Sequence, residues 1–176
     1  RQIAELIIGG IRSGKSRYAE QVARTNQNLQ GHQLCYLATA TAGDAEMEAR
    51  ISHHQQQRGQ GWLLVEEPIT LALTLQREAE EGRTIFVECL TLWLTNLLMA
   101  EDELQLRGEQ EQLLELLPTL PGSILLVSNE TGLGVVPMDP LSRRFCDEAG
   151  RLHQHLAELC ERATWVVAGL PQRIKG

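Results

Sequence analysis

The chain has little to offer a nucleic acid. Its 16 Lys and Arg are outnumbered by 23 Asp and Glu, a formal net charge of −7 over 176 residues. Phosphate backbones are held by clustered basic side chains, so this balance excludes a nucleic-acid binder. A small anionic ligand remains open, because it needs only a local nest of donors. Aromatic residues are scarce at 4%, so no stacking surface for a large planar ligand can be pointed to. Cys35, Cys89, Cys146 and Cys160 show no C-x-x-C spacing, which argues against a zinc ribbon or a redox dithiol. Cys35 and Cys89 fall in apolar, strand-like runs where a free thiol behaves as a small hydrophobe, a pattern of the reducing cytosol. Long hydrophobic runs are missing too. The first apolar stretch, "LIIGGI", is too short for a signal sequence or a membrane span. These absences lead to the expectation of a cytoplasmic protein with no membrane span.

Hydrophobic residues at 43% and charged residues at 22% are ordinary for a globular protein. Short apolar runs alternate with longer helical patterns. Strands are expected at 5–8, 33–38, 84–89, 123–128 and 164–168. Helices are expected at 14–28, 44–59, 69–81, 91–117 in two pieces, and 140–161. Apolar strands separated by helices imply an α/β fold, a mainly parallel sheet with helices on both faces. No repeat or Pro/Gly-rich linker divides the chain, so one domain over 1–176 is expected. Residues 91–100, "TLWLTNLLMA", are apolar almost all round, which places them in the core or against another subunit. The acidic stretch that follows reads as a solvated amphipathic helix.

Gly9-Gly10-Ile11-Arg12-Ser13-Gly14-Lys15-Ser16 matches G-x-x-x-x-G-K-[ST] in full. It follows the apolar run "ELII" and opens the helical pattern "KSRYAEQVA", the strand–loop–helix setting that a phosphate-binding loop requires. Its glycines let backbone N–H groups approach phosphate oxygens, and the helix N-terminus adds a favourable dipole. Lys15 would reach the β- and γ-phosphates, and the Ser16 hydroxyl would help hold Mg²⁺. A second apolar strand, "TIFVE", ends on Glu88, a candidate for the same metal. Asn129 and Glu130 follow another strand at the edge where ligands bind in open α/β sheets. A regulatory GTPase would need a guanine-reading N-K-x-D, which is absent. "DEAG" at 147–150 lies in mid-helix and is no GTPase motif.

Two adjacent histidines, His53 and His54, sit in the polar pattern at 44–59. Successive helical residues point about 100° apart, so the pair must diverge. Met47, Ile51, His54 and Arg58 share one stripe, marked as inward by Met and Ile; His53 lies on a polar one. An inward histidine is commonly a core residue. Here Arg58 follows one turn later on the same stripe, and both could face a nucleotide on the P-loop. A neutral imidazole, with an unperturbed pKa of about 6.5, could attack phosphorus. His153 and His155 are two residues apart on a helix and diverge, which disfavours a metal pair.

The segments "GGIRSGKSRYAE", "YLATA…DAEMEARISHH…R…W…EEP", "VECLTLWLTNLL", "SNETGLGVVPMDPLSRRFCDEAGRLHQHLA" and "VVAGLP" occur in order over nearly the whole chain. Together they resemble the bifunctional adenosylcobinamide kinase / adenosylcobinamide-phosphate guanylyltransferase family of cobalamin biosynthesis. The resemblance implies a RecA-like P-loop fold, with ATP and GTP as nucleotides and Mg²⁺ beside them. It implies phosphorylation of the aminopropanol hydroxyl of adenosylcobinamide. GMP would then pass from GTP, through a guanylylated histidine, to adenosylcobinamide phosphate. Its R-I-x-x-H pattern places that histidine at His54, with His53 in a variable position. It implies nucleotide contacts at Gly9, Gly10, Ile11, Arg12, Ser13, Gly14, Lys15 and Ser16. Further contacts would fall at Thr39, Ala40 and Thr41, at Gln55, Gln56, Gln57 and Arg58, and at Glu66 and Glu88, with Ser16 and Glu88 as metal ligands. It also implies a homo-oligomer. Two other readings share the P-loop: a small-molecule kinase in which His54 is structural, and a nucleotide-gated binding protein. Enzyme-bound GMP separates the first, and steady turnover the second.

Overall fold

Seven strands form one sheet in the order β3-β2-β4-β5-β1-β6-β7. The computed structural model describes residues 3–40, 49 and 61–176. The helix expected over 44–59 lies outside the described residues but for Ala49, and with it Thr41, His53, His54 and Gln55–Arg58. In chain order the elements are β1 (Ile3–Gly9), α1 (Lys15–Gln30), β2 (Gln33–Ala38), β3 (Trp62–Glu66), α2 (Leu71–Glu78) and β4 (Arg83–Glu88). There follow α3 (Leu90–Met99), α4 (Glu103–Leu116), a 3₁₀ turn at Leu117–Thr119, β5 (Ser123–Asn129), α5 (Pro140–Leu159), β6 (Arg162–Val167) and β7 (Leu170–Lys175).

The four central strands are apolar because both of their faces are covered. Ile7, Leu34, Tyr36, Phe86, Leu125 and Val127 face α1, whose Ala19 and Ala23 are fully buried and let the helix lie close. Leu6, Leu37, Ile85, Val87, Ile124 and Leu126 face the other way, toward α2–α5. All pairings are parallel except β6 with β7. The apolar α3 turns its Leu90, Trp93, Leu94 and Leu97 into this chain's own core. Trp93 donates its indole N–H to the Ile69 carbonyl at 2.7 Å. Of the two placements open to this helix, the core accounts for its composition.

Two strands escape a search for apolar runs. β3 is an edge strand of mixed exposure, and β7 is exposed at every position and carries Pro171, which an edge strand tolerates. Cys89 leaves the expected strand at 84–89 to cap α3, its Sγ accepting from the Leu92 N–H at 3.4 Å. Ala168 likewise leaves β6 for the turn before β7. The four cysteines are free, and burial pushes the Cys35 thiol up to about 11 and that of Cys160 up to about 12.

Glu109 on α4 buries its Oε2 with no partner among the described residues. Burial, and next the charge of Glu67, push its carboxyl above the usual range. A carboxyl raised on folding costs nothing below its unfolded value and its full penalty above its folded one. Glu109→Gln should therefore raise the melting temperature near pH 8, by about 1–2 °C given solvent screening. The gain should fade toward pH 4 in thermal melts across that range.

Candidate active site

The sheet's register brings the chemistry to one edge. Gly9 of β1 pairs with Asn129 of β5, Val127 of β5 with Glu88 of β4, and Ala38 of β2 with both Glu88 and Glu66. The strands therefore end together, and the segments after β1, β2, β4 and β5 share the carboxyl-end crevice of the sheet.

Residues 9–16 form a tight loop between β1 and α1. Arg12 and Gly14 both take positive φ, 55° and 97°, a succession that turns backbone N–H groups into one concavity. Ser13 N–H donates to the Gly10 carbonyl at 3.3 Å. Lys15 lies across the loop, its Nζ donating to the same carbonyl at 3.1 Å. Ile11 is 84% exposed. Gly9 is glycine for a steric reason: a Cβ there would collide with Ser13 Oγ and stand 2.8 Å from the Val166 carbonyl.

The first helical turn faces the acid of β4. Ser16 Oγ donates to Glu88 Oε1 at 2.8 Å, across 72 residues of sequence. The other carboxylate oxygen, Oε2, accepts from the Tyr36 hydroxyl at 2.6 Å. A hydroxyl and a carboxylate converging beside a phosphate loop are hard oxygen donors. Mg²⁺ is typically held in this way, by one or two protein oxygens with phosphates and water completing its shell. The residues present thus fit the ion. Among the described residues no cluster of three His, Cys, Asp or Glu offers a separate metal cage.

Thr39 is fully buried and its polar groups are engaged. Its Oγ1 donates to the Cys89 carbonyl at 2.8 Å and accepts from the Cys89 N–H at 3.0 Å; its own N–H bonds the Glu88 carbonyl at 3.0 Å. The Thr39 carbonyl accepts from Asn96 Nδ2 at 2.9 Å. Thr39 therefore ties the end of β2 to the end of β4, and Ala40 beside it is buried. Glu66 ends β3 and is exposed; four strand spacings of about 4.8 Å put it about 19 Å from β1. It is brought to the crevice but not to the phosphate loop.

Three features of the site were not visible as such in the sequence. Tyr36 looked like one more apolar strand residue, yet it orients Glu88. The Ala168–Gly169 turn, with φ of 51° and 79°, braces the loop from behind. Gly169 donates its N–H to the Ser13 carbonyl at 2.7 Å, and a Cβ on Gly14 would stand 3.1 Å from Gly169 Cα. Finally, Glu130 donates its N–H to the Gly9 carbonyl at 2.8 Å and Asn129 donates its own to Thr91 Oγ1 at 3.0 Å. One residue back, Ser128 Oγ bonds His153 Nε2 at 2.7 Å, and burial lowers the His153 pKa against the opposing charge of Glu130. His155 is exposed, so the two histidines diverge.

This strand order, loop and acid define a P-loop nucleoside triphosphate-binding α/β protein. A KaiC-like protein from Pyrococcus horikoshii shares the fold, with a TM-score of 0.53 at 14% identity over 93% of this chain and 70% of that one. The family model for cobinamide kinase / cobinamide phosphate guanyltransferase matches residues 5–174. Among curated relatives, a bifunctional adenosylcobalamin biosynthesis protein of Pseudomonas aeruginosa is 58% identical over 98% of this chain and 97% of its own length. The corresponding Escherichia coli protein is 34% identical over 97% of this chain and 98% of its own. The chain belongs to the cobinamide kinase / cobinamide phosphate guanyltransferase family, a bifunctional enzyme of cobalamin biosynthesis.

Gly9→Ala should cost about 2 kcal/mol of stability through overpacking and weaken nucleotide binding at least about tenfold. Thermal melts and titration with a fluorescent GTP analogue would measure the two effects.

Proposed function

We propose that the enzyme phosphorylates the aminopropanol hydroxyl of adenosylcobinamide with ATP or GTP, and then guanylylates the product through His54. The observation that carries this reading is the Ser16–Glu88 contact at 2.8 Å on the phosphate loop, which joins the two halves of a nucleotide–metal site. In the first reaction the acceptor oxygen bonds to the γ-phosphorus as the bond to the β-phosphate bridging oxygen breaks. The hydroxyl proton departs and the nucleoside diphosphate leaves. Lys15 and the loop amides hold the phosphates in line and offset their charge. Ser16 and Glu88 would hold Mg²⁺, with Tyr36 orienting the carboxylate; the ion supplies further charge neutralisation.

In the second reaction a ring nitrogen of His54 attacks the α-phosphorus of GTP and pyrophosphate leaves. A phosphate oxygen of adenosylcobinamide phosphate then displaces the histidine from the phosphoramidate, giving adenosylcobinamide-GDP. A covalent intermediate splits one difficult displacement into two. Support for His54 comes from the sequence pattern, in which a helix would put it on one stripe with Met47, Ile51 and Arg58, and Arg58 offers a bidentate fork for phosphate. Gln55, Gln56 and Gln57 would line the same side. Ala40 and Thr41 would touch the nucleotide from the end of β2, which Thr39 secures. Glu66 is far enough from the loop to meet the base, where a carboxylate can accept from the adjacent N1–H and N2 amino group of guanine together, a pair of donors that adenine lacks.

The working form is read as a cytoplasmic homo-oligomer. No described helix is long and apolar enough to cross a membrane. Trp165, Val167, Leu170 and Ile174 leave apolar surface exposed on β6 and β7, which a second subunit would cover.

The test is incubation with GTP radiolabelled at the α-phosphorus, followed by denaturation. Wild type should retain label that survives alkali and is lost in acid, and His54→Ala should carry none while keeping kinase activity. Lys15→Ala should lower both activities by about 10²-fold or more. Label kept by His54→Ala but lost in His53→Ala would move the nucleophile by one residue. No label on any chain, with GTP bound and Mg²⁺ present, would leave a P-loop kinase without the second step.

A further inference from the structure

An apolar groove of about 390 Å³ opens beside the catalytic edge, between the last turn of α3, the segment 131–138 and the first turns of α5. Leu98, Met99, Pro137, Leu141 and Phe145 form most of it, with hydroxyls of Thr95, Thr131 and Ser142 at intervals and no charged side chain among the described residues of its lining. Around it Met99 is 65% exposed, Leu141 50%, Val136 71% and Met138 93%. Scattered exposed leucines need no explanation, but exposed apolar side chains gathered about one groove mark a binding surface.

We propose that this groove is the docking surface for the corrin macrocycle of the cobinamide acceptor; the proposal rests on the function argued above. Position is the first support. α3 starts two residues after Glu88, and its Asn96 donates to the carbonyls of Thr39 and Pro68, beyond the ends of β2 and β3. The Glu103–Arg144 ion pair ties the start of α4 to that of α5. The helix therefore stays at the carboxyl end of the sheet, and its last turn forms one wall of the groove. Thr131 of the groove directly follows Glu130, which is bonded to Gly9 of the phosphate loop.

Reach is the second support. Thr95 stands six helical residues from Cys89, about 9 Å at about 1.5 Å each. The aminopropanol-bearing arm of cobinamide has a backbone of roughly two and a half residue lengths, about 8 Å extended. A macrocycle seated against Leu98 and Phe145 would thus present its hydroxyl near the strand ends. Chemistry is the third. The corrin face is apolar and its rim carries neutral amides, which suit an uncharged groove dotted with hydroxyls. A triphosphate would find no cation among the described residues that line it. The volume suits one face of the macrocycle, not its enclosure.

Cys146 lines the groove and gives a footprint. Saturating adenosylcobinamide should slow its alkylation severalfold, read by peptide mass spectrometry. Met99→Glu and Leu141→Asp, at positions exposed enough to accept charge without unfolding, should each raise KM for adenosylcobinamide about tenfold or more. Self-labelling from GTP, which uses no corrinoid, reports on each variant's fold and on the underlying function. Unprotected Cys146 and unchanged KM, with labelling intact, would overturn the groove and leave the function standing. Unchanged KM with an altered oligomer mass would make it a subunit interface instead. Absence of both labelling and phosphorylation in wild type would remove the function, and the groove with it.

Discussion

The hydrogen bond from Ser16 to Glu88 is the contact on which the rest of the site depends. It links the first turn of α1 to the end of β4, although β5 lies between β4 and β1 in the sheet. Only a parallel register that ends β1, β5 and β4 together can bring those groups within 2.8 Å. Tyr36 restrains the carboxylate from the side of β2, so three elements converge on one acid. A hydrogen bond made by an ionised group is stronger than a neutral one, and two of them fix the orientation of Glu88 before any ligand arrives.

The phosphate loop is held from behind as well as from the helix side. Gly9 admits Ser13, and Gly14 admits the Ala168–Gly169 turn, whose N–H bonds Ser13. The antiparallel β6–β7 hairpin thereby acquires a role that its exposed sequence does not suggest. Glu130 secures the other flank through Gly9, and the α3 hydroxyl of Thr91 secures Asn129. The loop is thus braced by β5, α3 and the hairpin, which preorganises its amides for phosphate.

Much of this was legible in the residues. Fully covered strands read as apolar runs, so β1, β2, β4, β5 and β6 were found close to their true limits, and the P-loop declared itself by its spacing. β3 and β7 were not, because edge strands lack the continuous apolar signature and Pro171 argues against strand. Glu88 was found as a strand-end acid, but its Tyr36 partner was hidden by an ordinary apolar context. Thr39 was expected near the nucleotide from the family pattern; the clamp that its side chain makes on Cys89 was not. Long-range pairings such as these arise from register, which no local pattern encodes. The apolar α3 left a choice between core and partner, and Trp93, fully buried in this chain, shows the core.

If Ser16 and Glu88 act as one metal–nucleotide unit, their contributions must be coupled. The decisive measurement is the Mg²⁺ dependence of GTP affinity in wild type, Ser16→Ala, Glu88→Gln and the double variant. The double variant should lose scarcely more than either single one, a coupling of about 1 kcal/mol or more. Penalties that simply add, or Mg²⁺ dependence unchanged in both single variants, would show that the two residues do not share an ion.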